Sequence, residues 1–103
     1  MYLLTFEAVP TSQHEDFSEV EGAWINAWIP SAHAVDIRTA EGLARDHIES
    51  SHWFIKYLDQ ASELDEDEFE PLDDDEEYFR TALAGEQAFV FHTYPLERNQ
   101  QTE

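Results

Sequence analysis

The stretch "GAWINAWIP", residues 22–30, decides which fold this chain can adopt. Its residues alternate strictly from position 23 to position 29, which predicts a β-strand with two different faces. One face is small and aliphatic, with Ala23, Ile25, Ala27 and Ile29, while the other carries Trp24, Asn26 and Trp28. Pro30 ends the strand because proline cannot donate to the hydrogen-bond ladder. We therefore expect the aliphatic face to meet the core and the two indoles to point away from it.

Alternation of the same kind predicts three more strands, at residues 2–8, 52–58 and 87–94. Two other segments change to the period of a helix. Residues 36–50 place apolar side chains at three- and four-residue steps behind Asp36, which is a favourable N-cap. A second helix follows the acidic residues after position 64 and ends at Gly85, where a left-handed C-cap residue belongs.

The order strand, strand, helix, strand, helix, strand predicts an α+β domain. The economical arrangement is a two-layer sandwich, with a four-stranded, mainly antiparallel sheet and both helices on one of its faces. Residues 1–95 are expected to form this single domain, and residues 96–103 a frayed C-terminal tail.

Two segments, "GAWINAWI" and "FVFHTYP", carry a resemblance to small uncharacterised bacterial proteins of α+β architecture. The chain as a whole resembles the ferredoxin-like class, with the usual strand-helix-strand opening altered. The resemblance implies a fold but no activity, because this architecture hosts many functions.

The composition is strongly acidic, with 24 acidic residues against five arginines and lysines and a net charge of −19. Direct binding to nucleic acid or to an anionic membrane is not expected, because both need a basic surface patch. The apolar content of 42% is too high for a disordered acidic chain, so we expect a packed domain with a negative surface. A salt-rich environment would suit such a surface, since the Debye length falls to about 3 Å at 1 M salt. No basic leader and no apolar run of about 20 residues is present, so the sequence predicts a soluble, cytoplasmic protein.

The acidic segment "LDEDEFEPLDDDEEYF", residues 64–79, holds ten carboxylates. A calcium loop of the EF-hand type needs a glycine at its sharp turn, which this segment lacks, and Pro71 interrupts the path. We interpret the segment as a solvated loop followed by a helix start. In this interpretation Asp73 or Asp74 caps the helix and Glu76 or Glu77 completes a capping box. An acidic mimic of nucleic acid remains a remote alternative.

No motif for a cofactor or a metal is visible. The chain has no cysteine, three separated glycines and five histidines, of which His47 and His52 lack the four-residue spacing that puts two ligands on one helical face. The sequence therefore predicts neither a cofactor nor a metal site.

The predicted sheet face opposite the helices is the candidate functional surface. Its expected members are Thr5, Trp24, Asn26, Trp28, Lys56, Val90, His92 and Tyr94. An exposed aromatic patch of this kind is typical of an interface or a ligand site. Our first hypothesis is a binding or interaction module that forms a homodimer through this face. The alternative is a cofactor-free binding protein or enzyme with a pocket near His92 and Asn26, in which His92 acts as acid or base. The resemblance favours the first, because ferredoxin-like domains commonly pair in this way, and no motif here matches a cofactor-free enzyme. An adaptor for another protein partner is a further alternative.

Overall fold

The chain forms a four-stranded sheet and two helices in the predicted order, and the predicted α+β class is confirmed. The computed structural model describes residues 1–15 and 17–95, so the predicted tail at 96–103 lies outside the described residues. The elements are β1 Tyr2–Pro10, β2 Val20–Ile29, α1 Ile37–Ser50, β3 Trp53–Glu63, α2 Glu76–Leu83 and β4 Ala88–Pro95, with a 3₁₀ turn at Asp73–Asp75 before α2.

The sheet has the strand order β3-β1-β2-β4, and all neighbouring strands are antiparallel. Residue Phe6 of β1 lies opposite Ile25 of β2, which lies opposite Phe91 of β4. Three strands therefore contribute a large apolar side chain to the same row of the same face.

The main core lies between this face and α1. The strands supply Leu4, Phe6, Ile25 and Ile29, all fully buried, and α1 supplies Ala40, Ala44 and Ile48. Helix α1 begins as the sequence predicts, since the backbone N–H of Thr39 donates to Asp36 Oδ1 over 2.8 Å. The alternation read from residues 23–29 thus identifies the core face correctly.

Helix α2 packs against the opposite face of the sheet, which corrects the expectation that both helices share one face. Its buried residues Phe79 and Ala82 join Trp28 and Ala88 in a second, smaller apolar cluster. The physical reason is that the sheet is apolar on both faces at this end. Trp28 is paired with Leu3 on one side and with Ala88 on the other, and this row needs a cover of its own.

The acidic start of α2 also differs from the predicted capping box. Asp73–Asp75 form the 3₁₀ turn, in which the Asp75 N–H donates to the Leu72 carbonyl over 2.8 Å. The predicted caps Asp73 and Asp74 thus lie within this turn, and the residue that precedes α2 is Asp75. Asp75 has a helical backbone (φ −97°, ψ −9°) instead of the extended one that an N-cap needs, and its side chain makes no capping bond within the described residues. The other end matches the expectation, because Gly85 has φ +97°.

Strand β3 departs from simple alternation where it pairs with the middle of β1. Ala8 lies opposite Ile55 but Glu7 lies opposite Tyr57, so Lys56 is an extra residue in a bulge. A second irregularity follows between Thr5 and Phe6. The bulge reverses the faces that strict alternation predicts after Ile55, and it brings Tyr57 onto the side of the sheet away from α1.

Candidate functional site

The register of the sheet gathers most of the predicted site residues on one area of the face opposite α1. One row across the sheet consists of Tyr57, Glu7, Trp24 and His92 in adjacent strands. The next row towards α2 contains Thr5 and Asn26. Phe54 and Tyr94 lie at the other edge of this area. We call the surface made by Glu7, Trp24, Phe54, Lys56, Tyr57, His92 and Tyr94 the open patch.

Aromatic rings make up much of the open patch. Phe54 is 62% exposed, Tyr57 44% and Trp24 37%. The rings of Trp24 and Tyr57 meet edge to face, with centroids 6.3 Å apart and planes at 82°. Since they contact each other across the strand that lies between them, the two rings cover Glu7.

Trp28 does not belong to this exposed surface, which corrects the expectation that no helix covers it. Its side chain is 1% exposed and lies against Phe79 and Phe69, at centroid distances of 6.3 and 6.0 Å. Its indole Nε1 is buried and makes no hydrogen bond within the described part of the chain. Trp24 and Trp28 point to the same side of the sheet, but α2 and the acidic segment cover Trp28 and leave Trp24 exposed.

Glu7 is the centre of the open patch. Its side chain is 13% exposed, and its Oε2 accepts a hydrogen bond from the Tyr94 hydroxyl over 2.5 Å. The ammonium of Lys56, the only lysine in the chain, lies 3.9 Å from the same oxygen. Lys56 therefore places a positive charge, and Tyr94 a hydrogen-bond donor, beside the same carboxylate.

The contacts of Glu7 determine the ionisation of its carboxylate. The Tyr94 hydrogen bond, then that of Tyr57, holds the pKa of Glu7 below its ordinary value of 4.5, and partial burial opposes them. In return the bond to Glu7, together with burial, raises the pKa of Tyr94 to about 12. The same carboxylate raises the pKa of Tyr57. At neutral pH the group consists of one carboxylate and two protonated phenols.

Tyr94 reaches Glu7 because Gly22 leaves room for its ring. A Cβ atom on Gly22 would lie 2.7 Å from Cζ of Tyr94 and 2.9 Å from the carbonyl oxygen of Ala8. Both distances are shorter than real Cβ contacts allow, so the close approach of the ring requires glycine at this position.

A second polar pair lies beside the open patch on the side of α2. The Thr5 hydroxyl donates to Asn26 Oδ1 over 2.9 Å, and both side chains are half-buried. This bond fixes the orientation of the Asn26 amide and leaves its NH₂ group as the available donor.

The chemistry of this arrangement suits binding better than proton transfer. A general acid or base works best when its pKa lies near the working pH. The pKa of Glu7 lies below 4.5 and that of Tyr94 near 12, so neither changes its protonation state around neutrality. His92 is exposed and lies beside Trp24 in the same row of the sheet. Its proposed role as acid or base stays a prediction.

Concavities lined by described residues lie elsewhere on the molecule. One of about 670 Å³ follows the outer side of α2 and is lined by residues that include Glu77, Arg80 and Glu86. Another of about 310 Å³ lies near the end of α1 and includes His14, Trp53 and Phe91. Neither contains His92 or Asn26 among its lining residues.

Residues 1–15 and 17–95 lack two further features that would indicate a function. Within these residues no three or more histidines and carboxylates are grouped in a way that could hold a metal ion. None of the helices formed by them combines the length and apolar character needed to cross a membrane.

Sequence reasoning missed three members of the open patch, namely Glu7, Phe54 and Tyr57. The alternation of β1 places Glu7 on the face opposite Leu4 and Phe6, but nothing in the sequence marks this carboxylate as a partner of Tyr94. The alternation assigns Glu7 to a face only, and the register of the sheet places it opposite Trp24 and Tyr57. Tyr57 could not be found in this way, because the bulge at Lys56 changes the face to which it belongs.

Comparisons with known proteins add no identity to this description. A scan against protein-family models, a search of curated proteins and a search of solved structures each gave no match. The resemblance to ferredoxin-like and to small bacterial proteins therefore stays a prediction, and the function has to be argued from the residues.

We expect the substitution Tyr94→Phe to raise the pKa of Glu7 towards its ordinary value of 4.5, because the strongest of its hydrogen bonds is lost. A lowered carboxylate pKa stabilises the fold above pH 4.5, and this contribution disappears as the pH falls through the lowered value. The variant should therefore lose less stability than the wild-type chain on acidification below pH 4.5. Titration of the Glu7 side-chain carbon by NMR measures the pKa directly.

The matched control is Tyr78→Phe, which removes a hydroxyl from a half-buried tyrosine of the second apolar cluster. It should leave the Glu7 titration unchanged. An unaltered Glu7 pKa in Tyr94→Phe would show that the 2.5 Å hydrogen bond does not form in solution.

Proposed function

We infer that this chain is an acidic interaction module that self-associates through the open patch. The observation that carries the proposal is the grouping of exposed Phe54, Tyr57 and Trp24 on one uncovered area of the sheet. Large aromatic side chains supply much of the binding energy in protein interfaces, and their exposure together is uncommon on a monomer. The proposal keeps the cytoplasmic location predicted from the sequence.

Charge favours a second copy of the chain as the partner. Two molecules of net charge −19 repel each other over most of their surfaces. Within the open patch Glu7 is the one carboxylate among the described residues, and Lys56 lies beside it. Asp59 and Glu21 lie near its edges, where they act on Tyr57 and Tyr94. A nearly neutral, aromatic area on an acidic chain is where two copies can approach with the least repulsion.

The size of the patch sets the expected strength. Strands about 4.8 Å apart and about 3.3 Å per residue give the uncovered rows a footprint of roughly 300 Å² in the plane of the sheet. A standard interface buries about 800 Å² per partner, so this one is at the small end. We therefore expect a weak dimer, with a dissociation constant on the order of micromolar or higher.

Ionic strength should strengthen the dimer. The repulsion between two acidic surfaces acts through solvent and falls as the Debye length shrinks from about 10 Å at 0.1 M to about 3 Å at 1 M salt. Burial of the aromatic rings is not weakened by salt. A dimer held by ion pairs would show the opposite dependence.

The test is sedimentation of the wild-type chain and of Phe54→Asp across the micromolar range, at about 0.1 M and 1 M salt. We expect the wild type to associate more at high salt and Phe54→Asp to weaken the association at least tenfold, since it places a charge inside the interface. The matched control is Val35→Asp, which adds the same charge at an apolar side chain that is 89% exposed outside the patch. A wild-type chain that stays monomeric at high salt, or equal losses in the two variants, contradicts the proposal.

A further inference from the structure

We propose that residues 64–83 form a salt-dependent lid, closed over the Trp28 end of the sheet at high ionic strength and open at low ionic strength. This inference deepens the proposed function and rests on it, because the lid determines how much of the same sheet face is exposed. We call residues 64–83 the lid segment.

A small apolar cluster holds the lid segment closed. Phe69 and Phe79 lie 5.2 Å apart, centroid to centroid, and both rings contact Trp28. Ala82 and the half-buried Leu64 add to this cluster. The second cluster is much smaller than the main core, and no residue of α1 belongs to it. It can therefore open without disturbing the main core, as small peripheral units commonly do.

Few polar contacts reinforce the closed position. Leu64 N–H donates to the Met1 carbonyl over 2.7 Å, and the Ser31 hydroxyl donates to Glu66 Oε2 over 3.1 Å. The N-terminal ammonium lies 3.2 Å from the same Glu66 oxygen, and this is the one ion pair that the described residues make between the lid segment and the rest of the chain. The ion pair of Arg80 with Glu76 spans 2.6 Å but lies within α2 itself, so it stabilises the helix and not its attachment to the sheet.

Charge repulsion opposes closure. The lid segment carries ten carboxylates and one arginine, a net charge of −9, so a fifth of the chain holds nearly half of its net charge. Carboxylates roughly 6 Å apart in water repel each other by an energy close to thermal energy, and the segment contains many such neighbours. An open, extended segment separates these charges, whereas the closed one confines them. Salt removes the difference, because charges more than a Debye length apart are screened.

Opening would change the interaction surface. The cluster under the lid includes Leu3, Trp28 and Val90, which lie on the same sheet face as the open patch. Trp28 follows Trp24 by four residues along β2, with Asn26 between them on the same face. An open lid therefore adds a second indole to the exposed aromatic surface at low salt, where charge repulsion most opposes association. A closed lid restricts that surface to the open patch, through which the dimer forms at high salt.

Hydrogen–deuterium exchange of the full chain at about 0.05 M and 1 M salt tests the lid. We expect exchange of α2 to slow at least about tenfold at high salt relative to β1 and β2, which report on the main core of the same molecule. Sodium and potassium chloride should act alike, since screening depends on ionic strength. The indole Nε1–H of Trp28, followed by NMR, should exchange with water in parallel with α2.

Two triple variants separate the charge of the lid from the charge of the whole chain. Glu68→Gln, Glu70→Gln and Asp74→Asn neutralise three exposed lid carboxylates, while Glu19→Gln, Asp46→Asn and Glu49→Gln neutralise three exposed carboxylates elsewhere. We expect the lid variant to show slow, high-salt-like exchange of α2 at low salt, and the control to behave as the wild type.

The lid is overturned if the exchange rate of α2, relative to that of β1, does not change with salt. It is also overturned if the two triple variants change the exchange of α2 equally. Exchange reports on the lid whether or not the chain associates. A monomeric chain with a salt-dependent lid would thus refute the proposed dimer alone, and a dimer with a salt-independent α2 would refute the lid alone.

Discussion

Replacing Phe6 with alanine is expected to lower the free energy of unfolding by about 3–5 kcal/mol. Phe6 is fully buried in the central strand pair, opposite Ile25 of β2 and Leu58 of β3. The guanidinium of Arg45 lies over its ring, 5.5 Å from the centroid, so the ring also helps to attach α1 to the sheet. Its removal leaves a cavity between layers that cannot collapse without moving a strand.

A loss of this size is a large part of the 5–15 kcal/mol that stabilises a typical domain. Urea unfolding at high salt measures it, with the midpoint falling while the slope stays constant. Phe54→Ala is the matched control, because Phe54 is 62% exposed on the other face and its truncation should cost less than about 1 kcal/mol. Similar losses in the two variants would mean that the main core is not on the α1 side of the sheet.

The sequence was sufficient to predict this part of the fold for a clear reason. Phe6 and Ile25 lie in segments where one face is aliphatic and the other is polar or aromatic, so alternation has a single interpretation. Asp36 and Gly85 mark helix ends through local backbone chemistry, which does not depend on tertiary packing. Such signals survive in any fold that the chain adopts.

The location of α2 could not be read in the same way. At Leu3 and Leu4, and again at Trp28 and Ile29, neighbouring residues are both apolar, so each face of the sheet needs a cover at that end. These adjacent apolar residues are visible in the sequence, but they conflict with the assumption that both helices share one face. A run of adjacent apolar residues at a strand end is thus evidence for a second layer.

The candidate site shows a different limit. Glu7 and Tyr94 come from opposite ends of the chain and meet only because β2 lies between their strands. The room for that contact depends on Gly22, and the position of Tyr57 depends on the bulge at Lys56. A bulge has no reliable mark in one sequence, since an extra residue preserves composition while it exchanges the faces.

The pair Trp24 and Trp28 gives the sharpest test of the corrected face. Both indoles project from β2 to the same side, but Trp28 is 1% exposed and Trp24 is 37% exposed. Truncation of a buried tryptophan costs about 3–5 kcal/mol, and removal of its buried, unpartnered N–H returns about 1–3 kcal/mol. We expect Trp28→Ala to lower the free energy of unfolding by about 2–3 kcal/mol. Trp24→Ala should cost less than about 1 kcal/mol, chiefly through its contact with Tyr57.

Trp28→Phe distinguishes the two parts of this effect. It keeps most of the apolar contact with Phe69 and Phe79 but deletes the Nε1–H that lacks a partner among the described residues. We expect it to change stability by less than about 1 kcal/mol, because the smaller ring and the removed polar group have opposite effects. Urea unfolding at high salt, where the lid segment is closed, compares all three variants under the same conditions. If Trp24→Ala lowered the free energy of unfolding as much as Trp28→Ala, the claim that α2 covers Trp28 but not Trp24 would be wrong. Both the boundary of the open patch and the lid would then have to be abandoned.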